Sequence, residues 1–302
     1  MKNTKLYPIL IVYFLMIPVL SAAENRKVLI INSNASVEKY RTVQDEFKKA
    51  LSVPVSEVNL ENTGDEKANS LSFHAPDIVY CIGAKAYSAA SRYFADKHIV
   101  FSSVLNYRRM DLTSKTYGVS YELHPRMPLY IVRSLFPTVK RIGMLYSKQF
   151  TRQWFESARD QAKELGLEIA GRAVSDSSDT EPFLKQIITE SDAVWMISDP
   201  VVMPEEKYLN IMLKICDEHK KPVLSYNDMF VELGASLVVS ADDPTIGRQA
   251  AGVVSELLSG AKPEDKVQFP AGSQIILNLK KIREYNLEYN QNALGTVNTI
   301  IQ

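Results

Sequence analysis

The sequence predicts an α/β protein made of two similar lobes, each a parallel sheet covered by helices, joined by crossings of the chain. Three observations predict it. From residue 27 onward, apolar runs of strand length alternate with longer segments of helical period, which implies right-handed crossovers and sheets buried on both faces. The alternation breaks in a polar stretch at 106–116 (NYRRMDLTSKT) and then restarts, so there are two units in tandem. Between 237 and 245 a β-branched run passes straight into a helix opened by Asp243 and Pro244, which lets a strand of one lobe feed a helix of the other.

Length and charge bound the possibilities. The chain has 302 residues, 46% hydrophobic and 23% charged, enough for two medium domains. Lys+Arg and Asp+Glu are both 35, so the formal net charge is zero and no basic stripe exists for a phosphate backbone. Nucleic acid is therefore not an expected partner.

The first element is a signal. Residues 1–5 (MKNTK) form a cationic start, 6–20 an apolar stretch, and Ser21-Ala22-Ala23 a small-residue cleavage site, so 1–23 reads as a secretory signal peptide. A retained anchor is the weaker reading, because Pro8 and Pro18 interrupt a run already short for a span of about 20 residues. No Cys stands at or just after Ala23, so no lipid anchor is encoded, and a free periplasmic protein, a monomer, is expected.

In the first unit, residues 27–32 (KVLIIN), 55–60, 77–82 (DIVYCI) and 99–105 (IVFSSVL) read as strands, with helices at 37–51 and 84–95. Residues 117–121 read as the first crossing between lobes, and Pro125 opens the next helix. Strands follow at 141–146, 167–174, 193–197, 222–225 and 237–240, with helices at 151–165, 180–188, 205–219 and 229–233 between them. The helix 245–258, the strand 275–277 and the helix 279–285 complete the lobes. The expected division is 24–119 plus 242–270 for one lobe and 120–241 plus 271–302 for the other. Cys81 and Cys216 then fall in different lobes as small buried hydrophobes, too far apart to bridge.

Ligands of open parallel sheets bind beyond the carboxyl ends of the strands. The loops at those ends are all polar, and two lobes facing each other through them would line a cleft suited to a small polar solute. They supply the candidate ligand-binding residues Asn34, Gly83, Ala84, Lys85, Ser103, Asn106, Ser147, Asp199, Tyr226, Asn227 and Asp242. Gly83 fits equally a tight turn or an amide site for an anion at a helix N-terminus. Lys85 reads first as a solvated helix residue. Asp199 either caps the helix after Pro200 or meets a ligand amine. Tyr226 and Asn227 are the strongest pair, a ring to cover a ligand face and an amide to orient it. Asp243 reads as the cap of the helix that Pro244 begins, leaving Asp242 to the hinge or cleft. Trp195 reads as core, and Trp154 either reaches the cleft or packs beneath it. The four histidines are scattered without metal-ligand spacing, so no metal and no cofactor is expected.

Across 27–289 the order of motifs resembles the exported solute-binding proteins of ABC importers, in the subfamily of tryptophan- and tyrosine-binding lipoproteins. The residues that carry it are Phe136 through Gly143 (FPTVKRIG), Lys163 through Glu168 (KELGLE), Asp192 through Asp199, Lys221-Pro222-Val223, Glu232 through Ala235, Gly247 through Ala251, Leu258 through Pro263, and Asn278. The resemblance implies a periplasmic binding protein of type I, two Rossmann-like lobes joined by a three-crossing hinge that closes on a ligand, with a membrane permease as partner. The chain departs from the pattern at Gly83, where Thr is common, and at Leu105-Asn106 in place of Asp-Pro, which leaves the ligand open. The same fold serving a membrane-bound kinase or cyclase as a periplasmic sensor is the alternative. Enzyme motifs such as G-x-S-x-G, G-x-x-x-x-G-K, G-x-G-x-x-G, H-E-x-x-H and C-x-x-C do not occur, and no catalytic residue is expected.

Overall fold

The computed structural model describes residues 26–61 and 70–302; the segment read as an export signal lies outside them. Elements are numbered along the chain. The first lobe opens with β1 (Val28–Asn32), α1 (Glu38–Ala50), β2 (Val55–Asn59), β3 (Ile78–Ile82), α2 (Ala84–Tyr93), β4 (His98–Ser102) and β5 (Thr116–Val119). β1 and β3 are buried at every position, as continuous VLII and IVYCI runs demand of central strands. The chain then enters the second lobe through α3 (Arg126–Leu135), β6 (Arg141–Ser147), α4 (Arg152–Glu164), β7 (Glu168–Val174), α5 (Thr180–Ile187), β8 (Ala193–Trp195), α6 (Glu206–Glu218), β9 (Val223–Ser225), α7 (Met229–Glu232) and β10 (Leu237–Ala241). It returns to the first lobe as α8 (Asp243–Leu258) and β11 (Val267–Gln268). It closes in the second lobe as β12 (Ser273–Asn278), α9 (Leu279–Glu284) and β13 (Thr299–Ile301).

Two sheets result. Their orders are β11-β5-β4-β3-β1-β2 and β13-β12-β10-β9-β8-β6-β7. The chain passes between them three times: after β5, between β10 and α8, and between β11 and β12. The helix that follows β10 lies against α1 of the other lobe so closely that a Cβ on Gly247 would come within 2.4 Å of the Val43 carbonyl oxygen. Only glycine allows that approach.

Three expectations are corrected. Residues 117–121 do not form the crossing itself: 116–119 is a buried strand between β4 and β11, and the chain leaves the sheet only afterwards. The strand expected to reach 105 ends at Ser102, because Ser103 and Asn106 take left-handed φ values of 56° and 55°, which no extended strand accommodates. The second sheet is not wholly parallel, since β12 runs antiparallel to β10. β10 leaves its lobe at the end nearest the other lobe and β12 re-enters there, so their directions must oppose. Cys81 in β3 and Cys216 in α6 are buried free thiols in separate lobes. Burial pushes the Cys216 thiol up to about 12.

Candidate functional site

The carboxyl ends of the two sheets approach each other, and the space between them divides into an inner and an outer part that share Asn106, Ser198 and Tyr226. The inner part admits about 40 Å³ of solvent and is walled by Trp154, Trp195, Tyr121 and Tyr226, with Leu123, Pro128, Ile197 and Val239 between them. Its polar lining is Asn106, Arg108, Glu122, Thr151 and Ser198. The outer part, about 460 Å³, is the polar mouth and adds Leu105, Arg109, Asp199, Pro200, Met203 and Pro204.

Local structure explains each position. Trp154 stands on the first turn of α4 and meets Trp195 of β8 edge to face, ring centroids 5.0 Å apart, leaving the indole Nε1 buried without a hydrogen-bond partner. Asn106 holds its left-handed turn, a conformation Asn tolerates better than most residues, and donates its backbone N–H to Glu122 Oε1. Glu122 Oε2 accepts from the Ser120 hydroxyl at 2.8 Å. Burial holds the Glu122 carboxyl above the usual range, partly offset by those bonds and by the Arg108 charge. Arg108 stacks on the Tyr107 ring at 4.6 Å.

Contacts tie the lobes across the gap. Lys39 of α1 pairs with Asp228 at 2.5 Å, Asn106 Nδ2 donates to the Ser198 carbonyl at 3.5 Å, and the Arg109 guanidinium lies 5.4 Å from the Phe150 ring centre. At the hinge, the Asp243 carboxylate is pushed up to about 6, first by burial, with Lys39 and the facing Tyr121 hydroxyl opposing the rise. Its Oδ1 has no hydrogen-bond partner.

Of the residues expected at the site, Asn106, Tyr226 and Asp199 line these two spaces. Asp199 does so with its carboxylate fully engaged: Oδ2 accepts from Ser147 N–H at 2.7 Å and Thr151 O–H at 2.5 Å, and Oδ1 from Val201 and Val202 N–H. Ser147 is thereby drawn into the same scaffold beneath α4. Asn227 accepts from Met229 N–H and shapes the start of α7. Asn34 accepts from Ser36 N–H in the loop before α1. Ser103 is buried with an unpartnered hydroxyl.

The α2 N-terminus is partly satisfied from within. Gly83 N–H donates to the Ser102 carbonyl, Ala86 N–H to Ser33 Oγ, and Lys85 Nζ to the Leu60 carbonyl, while Ala84 stays exposed. The roles of the acidic pair are also exchanged. Asp242 is the cap, accepting from Thr245 N–H at 2.9 Å, and Asp243 is the half-buried carboxylate at the hinge. The sequence reading placed Pro244 first in the helix; helical geometry begins one residue earlier, which shifts the cap by one.

Sequence reasoning missed Tyr121, Glu122, Leu123 and Arg108 and set Trp195 in the core. Trp195 is only 2% exposed and lines the inner space as well. A signal existed for the first three, which end or directly follow the first expected crossing, where both lobes must be near. Among the described residues no group of three or more His, Cys, Asp or Glu gathers to hold a metal, and no helix is long and apolar enough to cross a membrane.

A family model described as ABC transporter substrate binding protein matches residues 56–300. A curated tyrosine-binding protein of Clostridioides difficile is 22% identical over 222 residues, which is 70% of this chain and 64% of that relative's own length. Two solved structures are similar in fold. One is an ABC domain in complex with L-Trp from Streptococcus pneumonia, with TM-score 0.61, 19% identity, and coverage of 92% of this chain and 100% of that one. The other is a ligand-free, open substrate-binding protein with adhesive properties from Clostridium difficile, with TM-score 0.68, 16% identity, and coverage of 92% and 99%.

Proposed function

The chain belongs to the ABC transporter substrate-binding protein family, and from that premise we propose that it is a periplasmic receptor that closes two lobes on a small polar organic solute with an aromatic or apolar body and presents it to a membrane importer. The observation that carries this reading is the inner space between the sheet ends, four aromatic rings with a few hydrogen-bonding groups, in the position where open parallel sheets take ligands. The relatives named for tyrosine and seen with L-Trp support the aromatic element.

The mechanism is a population shift. An inner space of about 40 Å³ is small beside the several hundred Å³ usual for sites that enclose an organic solute, so an amino-acid-sized solute enters when the lobes part or the rings swing aside. Solute contacts with both lobes exist only in the closed state, so binding draws the hinge towards closure.

The test is thermal-shift screening against amino acids and small metabolites, followed by small-angle scattering with each hit. A stabilising, compacting solute is the expected result; no shift and no compaction with any compound rejects the reading. Tyr226→Ala should weaken the hit by about tenfold or more through loss of ring contact.

A further inference from the structure

Resting on the solute-binding reading, we propose that Arg108 receives an anionic end of the solute, so that the cleft selects an apolar or aromatic carboxylate whether or not it carries an amino group. The inventory of unengaged groups leads there. Among the described residues, the Arg108 guanidinium makes no hydrogen bond and no ion pair; it stacks on Tyr107 and lies near enough to Glu122 to act on its charge, and it lines the inner space. Trp154 lines the same space with an indole N–H that is buried and unpartnered. Both of these groups are donors.

The lining carboxylates already accept hydrogen bonds from the protein. Glu122, the carboxylate lining that space, accepts from Asn106 N–H on one oxygen and from the Ser120 hydroxyl on the other. Asp199 in the mouth accepts four hydrogen bonds from its own lobe. The free oxygen of Asp243 belongs to a residue outside the lining of either space. The buried Trp154 N–H without an acceptor is costly, and a solute supplying an acceptor oxygen removes that cost, whereas an ammonium group would compete with the hydrogen bonds that both lining carboxylates already accept. At the α2 N-terminus Ser33 takes the Ala86 amide and Ser102 the Gly83 amide, and neither Gly83, Ala84 nor Lys85 lines either space. The planar guanidinium suits a carboxylate, which it can take through two parallel bonds.

The test is isothermal titration of the purified full chain and of R108A with three probes of one ring system: L-tryptophan, 3-(indol-3-yl)propionate and tryptamine. The parent should bind both acids with affinities within about tenfold of each other and tryptamine more weakly. R108A should bind the acids about 10- to 100-fold more weakly, the range expected for a lost bond to a charged group, with tryptamine unchanged. R108K should recover part of the loss, and unchanged melting of both variants shows that the fold is intact. Equal binding of the acids by parent and R108A, or tighter binding of tryptamine than of the propionate, overturns the assignment. If none of the three binds, the solute found by screening decides. A solute without an anionic group overturns the assignment and leaves the solute-binding reading standing; a screen with no solute overturns both.

Discussion

Gly83 shows how one residue can satisfy a sequence argument and still serve another end. Its φ of +85° is left-handed, and a Cβ there would lie 2.6 Å from Ser33 Oγ, the oxygen that caps Ala86 N–H. Strain and clash act together, so Gly83→Ala should cost about 1–3 kcal/mol, read as a lower urea midpoint at unchanged slope. An unchanged midpoint would show that Ser33 moves aside freely and that the α2 N-terminus can open to a ligand after all. Asp199 makes the same point. The sequence marks a carboxylate at a strand tip, and only its four partners reveal that it fastens α4 to the β8 end instead of facing outward.

The element on which both lobes depend is α8. It begins where β10 ends and lies on α1 through Gly247, so its first turn is the joint between second-lobe sheet and first-lobe helix layer. Asp242 satisfies that turn by accepting from Thr245 N–H at 2.9 Å and Thr245 O–H at 2.5 Å. Asp242→Ala should therefore lower stability by about 1 kcal/mol, the usual loss for an N-cap, while Asp242→Asn should lose less. Chemical denaturation of the two variants beside the parent checks it; equal stability of all three would mean water caps the turn as well.

For the molecule as a whole, the balance between open and closed lobes rests on few contacts. The Lys39–Asp228 pair bridges the lobes with both side chains about one-third exposed, so it contributes little to stability but only the approached lobes can form it. Lys39→Ala should raise the radius of gyration of the unliganded protein in small-angle scattering, with added salt doing the same to the parent. Asp243 adds a pH dependence. Its folded value of about 6 lies above the ordinary 3.8, so the folded state binds its proton more tightly than the unfolded chain. Its burdened charged form destabilises the fold above about pH 6, and that burden lifts as pH falls through 6 and is gone by about 4. The urea midpoint of the parent minus that of Asp243→Asn should rise between pH 7 and pH 5; a flat difference would place Asp243 in a solvated setting. Lys39, Asp228, Asp242, Tyr40 and Tyr121 surround it, and the difference between the two proteins removes their shared titration.

The sequence by itself determined the architecture, because strand and helix periods are local properties of the chain and the break after β4 is written in its polarity. It also determined that polar strand tips would meet at a cleft, and Asn106 and Tyr226 were legible there as tip residues. What only the tertiary structure decided was the use of each polar group. Whether Asp199, Asp242 or Gly83 faces a solute or a neighbouring amide depends on partners 2 to 52 residues away in the chain, and Arg108, Glu122 and Trp154 enter the site only because two lobes far apart in sequence come together. Hydrogen-bond satisfaction is a property of three-dimensional neighbours, and no one-dimensional pattern encodes it.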